Sequence, residues 1–205
     1  MKKLFFLAVA AFLATMSANA QQMFLKPMVG GTLATFSGSD AEDTKMKLGL
    51  VAGAEFGYKI AEPFAITAGA LVSMQGSGQK DTEYTKDVKT TLTYLNIPIL
   101  ANYEVLPGLC LKAGLQPGFL LSAKLKGEQY SGNGWDEFDT DNYKDHCKSF
   151  DLSIPMGLSY EISDFVIDAR YNLGLTKIGK SEGSHDAANV KNSVIMLTLG
   201  YKIPF

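Results

Sequence analysis

The stretch Gly174-Leu175-Thr176-Lys177-Ile178-Gly179-Lys180-Ser181 carries, letter for letter, the spacing of a phosphate-cradling glycine loop. That chemistry also needs a helix directly behind the loop, whose N-terminus adds positive potential. The next residues are Glu182-Gly183-Ser184-His185-Asp186, which have no helical periodicity, so the match reads as coincidence. The only two histidines, His146 and His185, fall in polar stretches. Asp145-His146 stands close to Ser149, but nothing fixes a third partner or an oxyanion donor, so no hydrolase constellation forms. Asp139-x-Asp141 starts like a calcium loop, yet Tyr143 and a missing glycine break the spacing. Two cysteines, Cys110 and Cys147, are too few for a thiolate zinc site. No catalytic residue, cofactor or metal ligand is therefore expected.

Two other sets of residues carry more information. Segment 126–148 sets Tyr130, Trp135, Phe138 and Tyr143 among Asp136, Glu137, Asp139, Asp141 and Asp145. Aromatics beside carboxylates can stack on a sugar or grip a protein, and the competing expectation is a solvated surface loop. The second set is Lys47, Glu55, Lys59, Glu104, Lys112, Asp151, Glu161, Asp168, Arg170 and Lys202. These charges share one parity within apolar stretches. Because both signs are present, the expectation is a paired network, with Glu55, Glu104, Lys112, Asp168 and Arg170 at its heart.

Parity matters because the dominant period from about residue 24 onward is two. In Met46 to Ile60 the even positions are Met, Leu, Leu, Ala, Ala, Phe, Tyr and Ile, whereas the odd positions are glycine, valine or charged. Phe165, Ile167, Ala169, Tyr171, Leu173 and Leu175 repeat the pattern. Similar segments run near 24–36, 64–76, 92–106, 109–125, 149–162 and 192–205. The faces of the first are obscured by Gly30-Gly31. Short turns at Ala61-Glu62-Pro63, Pro107-Gly108 and Ser163-Asp164 alternate with long polar connections near 37–45, 77–91, 126–148 and 177–191. The fold class implied is all-β: an eight-stranded antiparallel up-and-down transmembrane β-barrel, with both ends on the short-turn edge.

Size decides which face points out. An eight-stranded interior barely accommodates packed side chains. The glycine-rich charged face suits that crowded centre, and the bulky apolar face suits lipid. Tyr58, Phe64, Tyr103, Tyr160, Phe165, Tyr201 and Phe205 share the outward parity near the short turns, where an aromatic girdle belongs. A secreted lipid-carrier barrel would invert the faces and expose the greasy one to water. Cys110 and Cys147 are expected at opposite ends, about 25 Å apart, too far for a disulfide.

The chain has 205 residues and a formal charge of −2, which leaves no basic field for nucleic acid. Lys2 and Lys3, the apolar run Leu4 to Leu13 and then Ala18-Asn19-Ala20 before Gln21 predict a cleaved signal peptide over 1–20 and a barrel domain over 21–205. Its removal takes the basic count from 19 to 17 against 21 acidic side chains, a net of −4.

Tyr94-Leu95-Asn96-Ile97-Pro98-Ile99-Leu100-Ala101-Asn102-Tyr103 resembles the central strand of PorT-type outer-membrane β-barrel proteins. Gly114 to Lys124 is similar to that family's next strand, and Ala169-Arg170-Tyr171-Asn172-Leu173-Gly174-Leu175-Thr176 to a later one. Thr198-Leu199-Gly200-Tyr201-Lys202-Ile203-Pro204-Phe205 fits the terminal insertion signal of such barrels, with Gly200, Ile203 and Phe205 at its key positions. The resemblance implies a protein of the Gram-negative outer membrane, surrounded by lipid and inserted by the barrel-assembly machinery. Most relatives have no assigned activity, and the name-giving one is linked to secretion of other proteins. The leading expectation is a non-enzymatic structural or surface-recognition barrel that meets an envelope protein or glycan through its long loops. A secretion or assembly component and a small passive pore are the alternatives.

Overall fold

A computed structural model describes residues 22–41, 43–132, 134–140, 143–180 and 189–205. The expected signal peptide and its cleavage residues Ala18, Ala20 and Gln21 lie outside the described residues, as do Ser181 and His185.

The strands are β1 (Met23–Ser37), β2 (Thr44–Lys45), β3 (Lys47–Ala61), β4 (Phe64–Gln79), β5 (Thr85–Asn96), β6 (Ile99–Leu106), β7 (Leu109–Tyr130), β8 (Trp135–Thr140), β9 (Phe150–Ile162), β10 (Phe165–Gly174), β11 (Lys191–Tyr201) and β12 (Ile203–Pro204). Eight staves close into a ring. β1 pairs with β3 on one side and with β11 on the other, from Met28↔Gly200 to Ser37↔Lys191. β5 and β6 together make one stave, since both pair with β4 and β7. The break falls at Pro98, which has no N–H for the ladder. Its carbonyl still accepts from Gly69 N at 3.0 Å, and Ile97 N donates to Pro117 O at 2.8 Å, so the stave holds its line. β12 prolongs β11 along Phe24 and Leu25 of β1.

The alternation turns side chains as their types require. Leu48, Leu50, Ile66, Leu111, Leu158, Ile167 and Leu197 lie on the outside, Leu48 75% exposed. Glu55 and Arg170 lie inside, at 0% and 2%. An outer wall of that apolarity needs an apolar solvent. Near the short turns the outward rings pair: Phe64 with Tyr103 at 4.9 Å, and Phe165 with Tyr201 at 5.3 Å between centroids. Tyr160 and Phe205 are exposed on the same belt.

Three features depart from the sequence reading. Segment 77–91 is mostly strand, because β4 runs to Gln79 and β5 starts at Thr85. Segment 126–148 is likewise a hairpin, β7 to Tyr130 and back through β8, followed by a 3-10 turn at Tyr143–His146. Past the apolar band backbone pairing continues while the apolar/polar alternation, its signal in sequence, stops; residues 75–78 of β4 are buried one after another. Third, the interior is not only glycine and charge. Met28, Val51, Leu71 and Met196 pack together inside the wall. Leu92, Tyr94, Leu120 and Ala123 form a second cluster with Cys147 and Ile178, which enter from the outer connections.

The faces of β1 are also resolved. Lys26, Met28, Thr32 and Ala34 point inward, and Val29 and Leu33 outward.

Candidate functional site: the lumen and the outer hairpin

In the lower lumen, near the short turns, five charged side chains meet. Register sets Lys26 of β1 opposite Glu55 of β3, and Lys26 Nζ lies 2.8 Å from Glu55 Oε2. Asp168 and Arg170, two apart on β10, share the inner face, where Arg170 Nε and Nη2 donate to Asp168 at 2.6 and 2.8 Å. Arg170 Nη1 also bridges to Glu55. Lys112 of β7 reaches Asp168 Oδ2 at 2.5 Å, and Lys26 approaches the same oxygen at 3.4 Å. Such burial is tolerable only because the guanidinium and both carboxylates saturate one another. Glycines make the room: a Cβ on Gly69 would stand 2.7 Å from Glu55 Cγ, and one on Gly200 would stand 2.9 Å from Lys26 Cγ.

Glu104 is a correction to the expected set. It lies apart, its Oε1 accepting from Gly108 N at 2.9 Å in the β6–β7 turn. There the ring is within reach of water, and the carboxylate satisfies a turn amide instead of a buried cation. Lys26 was the missing member, hidden by the broken alternation of the first strand. Its i, i+2 partners Met28 and, past Gly30, Thr32 and Ala34 were the only signal that placed it inside. Glu161 and Lys202 form their own pair at 2.7 Å. Asp151 sits higher, accepting from Thr176 Oγ1 at 2.5 Å and Asn192 Nδ2 at 2.8 Å.

Between the network and the short-turn edge lies a cavity of ≈ 330 Å³, walled in part by Lys26, Lys59, Asn102, Glu104, Lys112 and Lys202. Above the network, the two apolar clusters fill the bore. Cys147 and Ile178 stopper its outer end through the Cys147–Gly179 bridge and the bond from Lys148 N to Ile178 O at 2.7 Å. The thiols of Cys110 and Cys147 are both free, one lining the cavity and the other in this stopper.

At the outer end, β7 and β8 rise past the ring. Tyr130 and Trp135 face each other across the tip, centroids 5.5 Å apart, both exposed, with Lys86 Nζ 4.0 Å over the indole. A Cβ on Gly127 would stand 2.9 Å from the Phe138 ring, which therefore lies flat on the hairpin. Tyr143 turns away altogether and packs against the inner apolar cluster. The structure thus joins Tyr130 to Trp135, leaves Phe138 half-buried, and removes Tyr143 from the surface set.

Closed ring, lipid-compatible wall and ion-paired polar core are one architecture, and residues 15–179 match the family model described as outer membrane protein beta-barrel domain. The chain belongs to that family. As an outer-membrane β-barrel protein it sits in the outer membrane of a Gram-negative cell, its apolar band against lipid. No curated protein matches its sequence. Among solved structures, it is similar to Ail of Yersinia pestis in complex with the heparin analogue sucrose octasulfate, at 15% identity. That alignment covers 89% of this chain and 99% of Ail, with a TM-score of 0.50. It is also similar to OprG from Pseudomonas aeruginosa at 15% identity, over 91% and 98% of the two chains, with a TM-score of 0.46. At 15% identity the likeness to Ail shows a shared fold alone.

Proposed function

We propose that this outer-membrane barrel is a non-enzymatic surface-recognition protein, freed of residues 1–20 at export, that makes contact through the β7–β8 hairpin. The observation that carries the reading is the hairpin tip. Among the described residues β8 pairs only with β7, so its other edge offers unpaired backbone groups. Tyr130 and Trp135 stand exposed at the same tip. An extended protein segment can pair with such an edge, and an uncharged sugar ring can stack on the indole. Asp139 is paired with Lys126, but Asp136 and Glu137 make the edge acidic, which favours a neutral or basic ligand. Ail was solved with a sulfated glycan analogue, and a polyanion of that kind is a poor match for this edge.

The test is binding of the barrel in lipid nanodiscs to a glycan array and to cell-envelope extracts. Replacing residues 129–136 by a short glycine turn should abolish binding while heat-modifiable gel mobility stays native. Equal binding by the wild type and the shortened barrel would refute the reading. The deletion stops short of Tyr143 because that ring helps close the lumen.

A second reading, PorT-type membership and a role in an envelope secretion or assembly complex, is favoured by the cavity that opens toward the short-turn edge. Co-purification of a periplasmic partner from mild detergent would select it. A passive pore fits least, since a salt-bridge network and two apolar clusters occupy the bore. Insertion by the barrel-assembly machinery through Gly200, Ile203 and Phe205 belongs to the same proposal. Ile203 and Phe205 point outward, and the strand that bears them is unpaired on one side until β1 closes on it.

A further inference from the structure

The buried network is not electrically balanced. Lys26, Lys112 and Arg170 bring three positive charges, whereas Glu55 and Asp168 bring two negative ones. Among the described residues no third carboxylate lies within ion-pair distance of them. A buried unit charge without a counter-ion is costly. The surplus also has a location. Arg170 spends its fork on Glu55 and Asp168, and Lys26 is shared between the same two carboxylates. Lys112 meets only Asp168, so two of its three N–H donors remain unspent. Both Lys26 and Lys112 form part of the cavity wall, each more than nine-tenths buried. Beside them Asn102, also buried, gives its Nδ2 to Ala65 O, Thr67 Oγ1 and Leu100 O, which leaves Oδ1 without a donor.

We infer that the cavity is a binding site for a small carboxylate anion that enters from the short-turn, periplasmic side. The carboxylate takes up the spare donors of Lys112 and Lys26, and a hydroxyl or amino group on the adjacent carbon donates to Asn102 Oδ1. At ≈ 330 Å³ the cavity stands at the small end of ligand pockets and has room for such an anion together with several waters. Farther out the wall carries Lys59 and Lys202 together with Glu62, Glu104 and Glu161, with Lys202 paired to Glu161, so the positive surplus is confined to the inner end at Lys26 and Lys112.

The experiment is isothermal titration of the full barrel in nanodiscs with acetate, lactate, inorganic phosphate, chloride and glycerol, each as the sodium salt where charged. Lactate should bind most tightly, acetate at least about tenfold more weakly for want of the hydroxyl, and glycerol not at all. K112M leaves two cations facing two carboxylates. It should therefore keep native heat-modifiable mobility and lose lactate binding by at least about tenfold. Asn102→Leu should erase the preference for lactate over acetate while acetate affinity stays unchanged. Absence of any heat with all four anions would overturn the inference, as would equal lactate binding by wild type and K112M. Tighter binding of chloride or phosphate than of either carboxylate would overturn its choice of ligand. An unfolded K112M would mean that Lys112 is needed as a structural partner of Asp168, and the Asn102→Leu measurement then decides alone.

Discussion

Arg170 and Glu55 are each almost wholly removed from water, and each has a partner it cannot replace. Removing the guanidinium in Arg170→Met leaves Glu55 and Asp168 to Lys26 of β1 and Lys112 of β7, which reach in from opposite walls. A loss of about 3–5 kcal/mol is expected, because three charge-assisted hydrogen bonds go and the carboxylate oxygens that accepted them stay buried. Denaturant unfolding in detergent micelles, read as gel mobility, checks it, and a loss below about 1 kcal/mol would show that water already reaches the network. Gly69→Ala perturbs the same cluster by volume alone. Its new methyl would meet Glu55 Cγ at 2.7 Å and Ala54 O at 2.7 Å, so roughly 1–3 kcal/mol of destabilisation is expected in the same assay. At this scale the sequence showed which charges turn inward, because parity along a strand is local. It could not show that Glu104 would answer a turn amide or that Lys26 would complete the set, since both depend on neighbouring strands.

Outer connections are tied to one another at the element scale. Asp40, in the β1–β2 connection, accepts the backbone N–H of Asn189 at 2.7 Å and the hydroxyl of Ser39 at 3.1 Å. The bond from the Asn189 amide, and then that from Ser39, holds its carboxyl below the ordinary aspartate range. A carboxyl whose pKa is depressed by folding contributes its bond above the unfolded value and loses it as pH falls through the folded one. The Asn189 amide resonance should therefore titrate with a midpoint under 3.8, the ordinary value, and should stop titrating in Asp40→Asn. A midpoint at or above 3.8 would mean the two connections part in solution. The hairpins β4–β5 and β7–β8 illustrate what was hidden in the sequence. Their polar ends read as loops, because hydrophobic alternation reports burial of one face and not hydrogen bonding along the edge.

For the whole molecule, the decisive property is that its bore is shut twice. The charge network closes it below, and Leu92, Tyr94 and Leu120 close it above with Cys147 and Ile178 from the outer connections. In planar bilayers the wild-type barrel should show no steady conductance. Leu120→Ala should cost about 2–5 kcal/mol through the cavity it leaves, still without opening a path past the charge network. Stable unitary conductance from the wild type would contradict the two closures. The outer wall imposes the complementary condition: transfer from lipid or detergent to water should aggregate the protein, since Leu, Ile and aromatic side chains cover it.

Period-two patterning taken with side-chain bulk determined how many staves there are, that they cross a membrane, and which side of all but the first meets lipid. Burial on one face leaves a local imprint on every second residue, and bulk forces large side chains outward from a narrow ring. Only the tertiary structure decided how the interior is filled. Which charges pair, which apolar groups block the bore, and where an unspent ammonium faces open space depend on stagger between strands far apart in sequence. No single strand records that stagger.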